Sequence, residues 1–389
     1  MNKKKEPIYT KSFVLVCFSS LLFSASYNML IPELPNYLSG LGGAEYKGFI
    51  IALFTLTAGL SRPISGKLTD TIGRKPIMIV GAIVCVVCGV FYPILTSVSG
   101  FLLLRTVHGF STGFSPTAIA TYVSDIIPKN RLGEAMGIQG ICFSTGLALG
   151  PALGGYIKLY ATYDILFYSS SILAILSILL LIKVKETLTR KQQFTLATLK
   201  ISRNDIIAKE VLPSAFITFI CYLGFGVILT LIPDWSDHLG FINKGTFFIV
   251  FTISSLFIRL IAGKFSDIYG RRKVINIGLV VLMISLLMIG YLDTQNGLLL
   301  GAGVYGFAMG IVSPTLNAWT IDLSNPLTKG KSIATMYIAL EAGIGLGALF
   351  SGWYYKDILE RIPDIIYACA VLAFIGLLYM LLKNKKLAK

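Results

Sequence analysis

Few side chains in this sequence can carry a charge inside an apolar run, and those few define the chemistry open to it. Glu33, Arg62, Arg105, His108, Arg259 and Glu341 interrupt stretches otherwise built from aliphatic, aromatic and small residues. Ionisable groups in such surroundings are costly to bury and by default mark a pathway. A carboxylate there favours its neutral form and can change protonation as water reaches or leaves it, and a histidine titrates closest to neutrality. Proton uptake and release is the chemistry this set supports. Phosphoryl or glycosyl transfer would need clustered carboxylates with metal-ligand geometry, or a nucleophile beside a base. The residues offer no such set, so no enzyme, no cofactor and no metal site is read from them.

The surrounding chain explains why these charges are so isolated. Of its 389 residues, 55% are hydrophobic and only 14% charged, with a mean hydropathy of +0.76. A soluble chain of this size cannot hide that much apolar surface, because a folded domain still exposes a large share of its residues. A soluble enzyme, a nucleic-acid-binding domain and a disordered chain are thereby excluded. Crossing the hydrocarbon core takes about 20 apolar residues. On that measure twelve spans are expected, at 12–38, 48–66, 76–97, 99–124, 133–157, 163–183, 211–234, 245–263, 274–292, 297–321, 331–355 and 363–382. The first is too long for a signal-peptide core and should persist in the mature chain. Helices are the expected spanning form, since no segment shows the dyad alternation of a barrel. Six cysteines (Cys17, Cys85, Cys88, Cys142, Cys221 and Cys369) lie inside apolar runs. Their spacing fits neither a disulfide framework nor a metal site, so they read as small packing residues.

The net charge of +15 comes mostly from the tails and alternate connections. Lys3, Lys4, Lys5 and Lys11 precede the first span, and Lys383, Lys385, Lys386 and Lys389 follow the last. The even-numbered loops hold Lys67, Arg74 and Lys75, Lys129 and Arg131, a basic central segment, Lys264 with Arg271, Arg272 and Lys273, and Lys329 with Lys331. The other face has Lys47, Lys158, Lys244, Lys356 and Arg361. The positive-inside rule then places both termini in the cytoplasm of a multi-pass cell-membrane protein. The basic excess records topology, with attraction to anionic lipid second and no nucleic-acid partner implied.

The chain is also duplicated. Arg62-Pro-Ile-Ser-Gly66-Lys67-Leu-Thr-Asp70-Thr-Ile-Gly73-Arg74-Lys75 recurs 197 positions later as Arg259-Leu-Ile-Ala-Gly263-Lys264-Phe-Ser-Asp267-Ile-Tyr-Gly270-Arg271-Arg272. The same offset relates Gly109-Phe110 to Gly306-Phe307, Gly113 to Gly310, Asp125 to Asp322, Gly150 to Gly347 and Gly155 to Gly352. We therefore expect an all-α integral membrane protein of twelve transmembrane helices in two pseudo-symmetric six-helix bundles. One bundle covers 1–183 and the other 211–389, joined by a central loop at 184–210. A substrate site is expected between the repeats near mid-membrane.

Gly66-Lys67-Leu68-Thr69-Asp70-Thr71-Ile72-Gly73-Arg74-Lys75 resembles the signature loop of the major facilitator superfamily. Leu103-Leu104-Arg105-Thr106-Val107-His108-Gly109 is similar to a second motif, with His108 where glutamine is commoner. Gly146-Leu-Ala-Leu-Gly150-Pro151-Ala-Leu-Gly154-Gly155 resembles the antiporter motif of drug/proton exchangers, and Pro32-Glu33-Leu34-Pro35-Asn36-Tyr37 is similar to the twelve-helix members of that group. The resemblance covers essentially the whole chain. It implies a major facilitator fold and a monomeric secondary transporter that couples efflux of small amphipathic molecules to protons by alternating access. It also implies that Asp70, Arg74 and Asp125 latch the cytoplasmic side in the outward-open state, with Gly263, Asp267 and Arg271 forming a second copy.

Physical reading of the same residues adds detail. Gly66 and Gly73 can supply tight turns or close helix contacts. Asp70 can cap an adjacent helix N-terminus and pair with Arg74, with Asp125 within reach. Gly146, Gly150, Pro151, Gly154 and Gly155 form a small-residue face expected to meet a helix of the other half. Arg62 and Arg259 lie about one turn from a boundary, close enough to snorkel. Glu33 and Arg105 both fall about 7–10 Å from the external end at ~1.5 Å rise per residue, so they can pair. Glu341 lies near the midplane. The proton-site candidates rank as Glu341, then Glu33, then His108, and Asn28, Arg105, Tyr222, Asn317 and Trp319 are cavity candidates. Export of a sugar, metallophore or lipid-linked substrate, or proton-coupled import of a nutrient, would use the same scaffold.

Overall fold

The computed structural model describes residues 8–46, 49–241, 245–356 and 358–387. Lys3, Lys4, Lys5, Lys47, Lys244 and Lys389 of the charge pattern lie outside the described residues. Among the described residues the only regular elements are helices: α1 (Lys11–Asn28), α2 (Leu34–Gly40), α3 (Phe49–Thr71), α4 (Arg74–Phe91), α5 (Val98–Ile126), α6 (Leu132–Tyr160) and α7 (Tyr163–Ile182), then a short α8 (Arg203–Ile206) in the mostly irregular central segment. There follow α9 (Leu212–His238), α10 (Thr246–Tyr269), α11 (Arg271–Tyr291), α12 (Gln295–Leu323), α13 (Lys329–Tyr355) and α14 (Ile362–Leu387).

Among the described residues, ten helices are long and apolar enough to cross a membrane. The two long helices that miss, α1 and α5, reach 18 and 29 residues but carry many hydroxyls. Many of those hydroxyls are buried, and several are hydrogen-bonded within the protein. Ser19 shares a bond with Ser177 at 2.8 Å, Ser170 donates to the Ser26 carbonyl, and Thr121 donates to the Thr117 carbonyl. A helix covered by its neighbours need not be lipophilic. The expected first span is broken in two. Pro32 and Pro35 lack N–H donors and disfavour helix in the residues before them, so the chain turns through Met29–Glu33 before α2 begins.

Two compact units emerge. The first comprises residues up to Lys129, Ile138–Lys209 and Ser324–Tyr337; the second comprises Asn130–Gly137, Glu210–Leu323 and Ile338 onward. The central segment thus belongs to the first unit. So does the start of α13, while the start of α6 belongs to the second. Within the first unit α5 packs on α3 and α4, and α7 on α4 and α1; within the second α12 packs on α10 and α11, and α14 on α11 and α9. The pairings repeat at the 197-residue offset. The core of the first unit is aromatic where α2, α4, α5 and α7 meet: Tyr92, Phe101 and Phe167 are fully buried with Leu30, Leu34 and Leu38.

Candidate functional site

The sequence motif 66–75 is mostly helix. α3 runs through Asp70 to Thr71, and the reversal into α4 takes only Ile72 and Gly73. Gly73 has φ +140°, a conformation that side chains rarely adopt. Gly66 serves the other purpose: a Cβ there would meet the Ala334 Cβ at 2.7 Å and the Gly330 carbonyl at 3.0 Å. That proximity lets the end of α3 touch the start of α13.

Asp70 uses it. Its Oδ1 accepts from the Gly330 N–H at 2.8 Å and its Oδ2 from the Lys331 N–H at 2.9 Å. A carboxylate thereby caps the first turn of α13, where free N–H groups and the helix dipole favour negative charge. Arg74 is buried beside it. Its Nη1 lies 3.6 Å from Asp70 and donates to the Thr69 carbonyl at 2.7 Å, and its Nε donates to Asp125 at 2.9 Å. Asp125 is shared further, accepting from Lys329 Nζ and the Thr187 hydroxyl, both at 2.8 Å.

The second unit repeats the arrangement with its own residues. Asp267 accepts from the Gly133 and Glu134 N–H groups, each at 2.8 Å, so it caps α6. Arg271 joins Asp267, donates to Ser266 Oγ at 2.7 Å and pairs with Asp322 at 2.8 Å. A Cβ on Gly263 would strike the Gly133 carbonyl. Gly133 and Glu134 stand 197 positions before Gly330 and Lys331, as Asp70 stands before Asp267. Asp70 does cap a helix, but not the adjacent one expected from the sequence: it caps α13, and Glu186 caps α4.

The sequence reading also missed the central segment. Glu186 caps α4, accepting from the Arg74 and Lys75 N–H groups at 3.1 and 3.0 Å. The Gln192 N–H donates to the Thr71 carbonyl at 2.8 Å. Lys67 donates to the Lys200 carbonyl and to Asp205 at 2.8 and 2.9 Å, and the Ala208 N–H donates to Thr335 Oγ1 at 2.9 Å. The only sequence signal was a carboxylate and hydroxyl pair, Glu186-Thr187, at the end of an apolar run.

The glycine face of α6 meets a different neighbour from the one expected. Cβ atoms on Gly146 and Gly154 would run into the Leu21 and Met29 carbonyls, and one on Gly150 would come within 2.9 Å of the Ala25 carbonyl. The face is packed on α1 of its own unit. Gly155 points to open space. Gly343 and Gly347 of α13 repeat the contact against Phe219 and Leu223 of α9.

Arg105 and Glu33 do not pair. Arg105 is 1% exposed; its Nε donates to the Ile50 carbonyl at 2.9 Å, its Nη1 to the Tyr92 hydroxyl at 3.4 Å, and its guanidinium stacks 4.6 Å from the Phe54 ring. Equal depth along two helices fixes a level but not a direction around the axis. Glu33 instead sits at the turn into α2, with Tyr163 as its electrostatic neighbour. His108 is fully buried, its Nδ1 3.3 Å from the Tyr92 hydroxyl. Asn28 is buried and donates to the Ser24 carbonyl at 2.8 Å. Arg62 does not snorkel: it is buried, donating to Thr117 Oγ1 at 3.0 Å and lying 4.5 Å over the Tyr337 ring.

In the second unit Tyr222 donates to Ser313 Oγ at 3.3 Å, and Asn317 donates to the Ser313 carbonyl at 3.0 Å. Glu341, partly buried, and Arg259 both lie within electrostatic reach of the Tyr222 hydroxyl. Trp319 is buried apart from this group, with Arg272 6.0 Å over its ring. Among the described residues no group of three metal-ligating side chains occurs.

A family model described as Major Facilitator Superfamily matches residues 16–212 and 214–389. The chain belongs to the Major Facilitator Superfamily. It is 27% identical over 307 residues to Multidrug resistance protein 2 of Bacillus subtilis (strain 168), covering 74% of this chain and 76% of that one. It is 25% identical over 361 residues to the multi-drug resistance efflux pump PmrA homolog of Lactococcus lactis subsp. lactis (strain IL1403), covering 89% and 88%. The fold matches that of the human organic anion transporter MFSD10 (TETRAN), with a TM-score of 0.82, 19% identity and coverage of 97% of this chain and 100% of that one. It also matches the proton:xylose symporter XylE, with a TM-score of 0.77, 16% identity and coverage of 95% and 94%. The chain is a multi-pass membrane protein of a transporter family.

Proposed function

We propose that this protein is a proton-coupled exporter of small amphipathic molecules, working by alternating access as a monomer in the cell membrane with both termini cytoplasmic. In this reading there are twelve spans, α1 with α2 making the first, arranged as two six-helix bundles. The observation that carries the proton coupling is Glu341, a carboxylate partly buried inside an apolar helix beside Tyr222. Protonation neutralises it when water enters from outside, and deprotonation inside restores a charge that attracts a cationic amphipathic substrate. Glu33 and His108 are the second and third proton sites to test. Relatives named as multidrug resistance proteins and efflux pumps support the outward direction of this reading.

Asp70, Arg74 and Asp125 act in this proposal as the cytoplasmic latch, with Asp267 and Arg271 as its second copy. Charge-assisted bonds at helix ends can bias one conformer by a few kcal/mol, enough to shift populations without locking them.

The test is transport in proteoliposomes with an imposed pH gradient and a fluorescent amphipathic cation. Wild-type protein is expected to drive efflux, and Glu341→Gln to reduce it at least tenfold. Undiminished gradient-driven efflux by Glu341→Gln rejects that residue as the proton site. Absence of gradient-dependent movement by active wild-type protein rejects the coupling.

A further inference from the structure

The contact between α1 and α6 has a strict register. Gly146 faces Leu21, Gly150 faces Ala25 and Gly154 faces Met29, so each step of four residues along one helix matches four along the other. One turn back, the same register sets Cys142 against Cys17. The two thiols lie within electrostatic reach of one another, and both cysteines are free. Backbones brought together by glycines come near the ~4.4–6.8 Å Cα separation that a disulfide requires. Gln139 donates to Ser20 Oγ at 3.0 Å, a further side-chain contact between α6 and α1 close to the cysteines.

We propose that Cys17 and Cys142 form a reversible oxidation site whose disulfide pins α1 to α6. The oxidant is hydrogen peroxide, small and neutral enough to cross membranes. Cys17 is buried and Cys142 partly exposed, so Cys142 reacts first. Its sulfur attacks the peroxide O–O bond, giving a sulfenic acid and one water. The Cys17 sulfur then attacks that sulfenic sulfur, forming the S–S bond and releasing a second water. Two thiol hydrogens leave and one peroxide is reduced. A dithiol reductant reverses the change.

The test uses the intact protein in native membranes treated with hydrogen peroxide, then alkylated and analysed by peptide mass spectrometry. The expected product is a linked pair of peptides containing Cys17 and Cys142, lighter by two hydrogens, lost on treatment with dithiothreitol. C142S and C17S should each abolish it and leave the remaining thiol alkylated. If both thiols of the wild-type protein stay fully alkylatable after peroxide, or if the cysteines link to other partners, the site is overturned. That readout requires no variant to fold and no substrate to be known.

Discussion

Asp70 and Gly330 lie 260 positions apart in the chain and meet through a 2.8 Å hydrogen bond from the glycine N–H to the carboxylate. Its other oxygen takes the next N–H, that of Lys331. Each carboxylate oxygen thus serves one orphan donor of the α13 first turn, and the negative charge faces the positive end of the helix.

Asp70→Asn should therefore do more harm than its small change in shape suggests. An amide offers one acceptor, and its NH₂ would face an N–H donor. We expect a loss of about 1–3 kcal/mol from the conformer that holds this contact. The expected readout is a shift in the distance distribution between spin labels on the start of α13 and the end of α3. Asp267→Asn should shift a corresponding pair on α6 and α10, and an unchanged distribution in both would refute the latch.

The α1–α6 seam makes a sharper comparison between adjacent residues. Gly154→Ala places a methyl into the Met29 backbone carbonyl, which cannot swing aside, whereas Gly155→Ala points to open space. The first should lower thermal stability in detergent by several degrees, an overpacking cost of about 1–3 kcal/mol. The second should leave it within error. Equal effects would mean that α1 is not the neighbour.

Arg105→Lys retains the charge but not the fork. A lysine cannot donate to the Ile50 carbonyl and Tyr92 hydroxyl together while stacking on Phe54. We expect a fall of about 1.5–3 kcal/mol in unfolding free energy, the scale of a charged hydrogen bond lost in burial. Glu33→Gln should leave stability unchanged by comparison, because the two residues are not paired.

The central segment should loosen in acid. Asp205 is held below the ordinary carboxylate range, first by the hydrogen bond from Lys67 and then by the Ser202 N–H. A depressed carboxylate stabilises at every pH above its unfolded value, near 3.8, and that contribution disappears as pH falls through the lower folded value. Limited digestion of residues 190–203 with an acid-stable protease should accelerate below about pH 4 in the wild-type protein. In Lys67→Met it should already be fast at neutral pH. A flat wild-type profile would refute the tether.

Much of this fold was legible because apolar length is a local signal, and because the duplication repeats at a fixed offset. The tight turn at Gly73 was legible for the same reason, whereas the helix that Asp70 caps was not. Nor were other features. Pro32 and Pro35 end a helix, but the apolar run continues past them, so 12–38 read as one span. The small-residue face of α6 announced a close neighbour without naming it, and α1 of the same half took the place expected for the other half. Depth placed Arg105 level with Glu33, yet the arginine turns to Ile50 and Tyr92. Glu186, holding the start of α4, was passed over because one acid after an apolar run looks like any solvated end.

The two caps have a consequence for how such a chain could arise. The aspartate of each repeat closes a helix encoded in the other repeat, so neither compact unit is built from consecutive helices alone. A polypeptide half this length would leave its aspartate facing nothing and its own fifth helix open at the tip. Two copies would satisfy one another reciprocally, as a swapped homodimer does. Fusion of two such genes would then preserve a handshake older than the linker that now joins them.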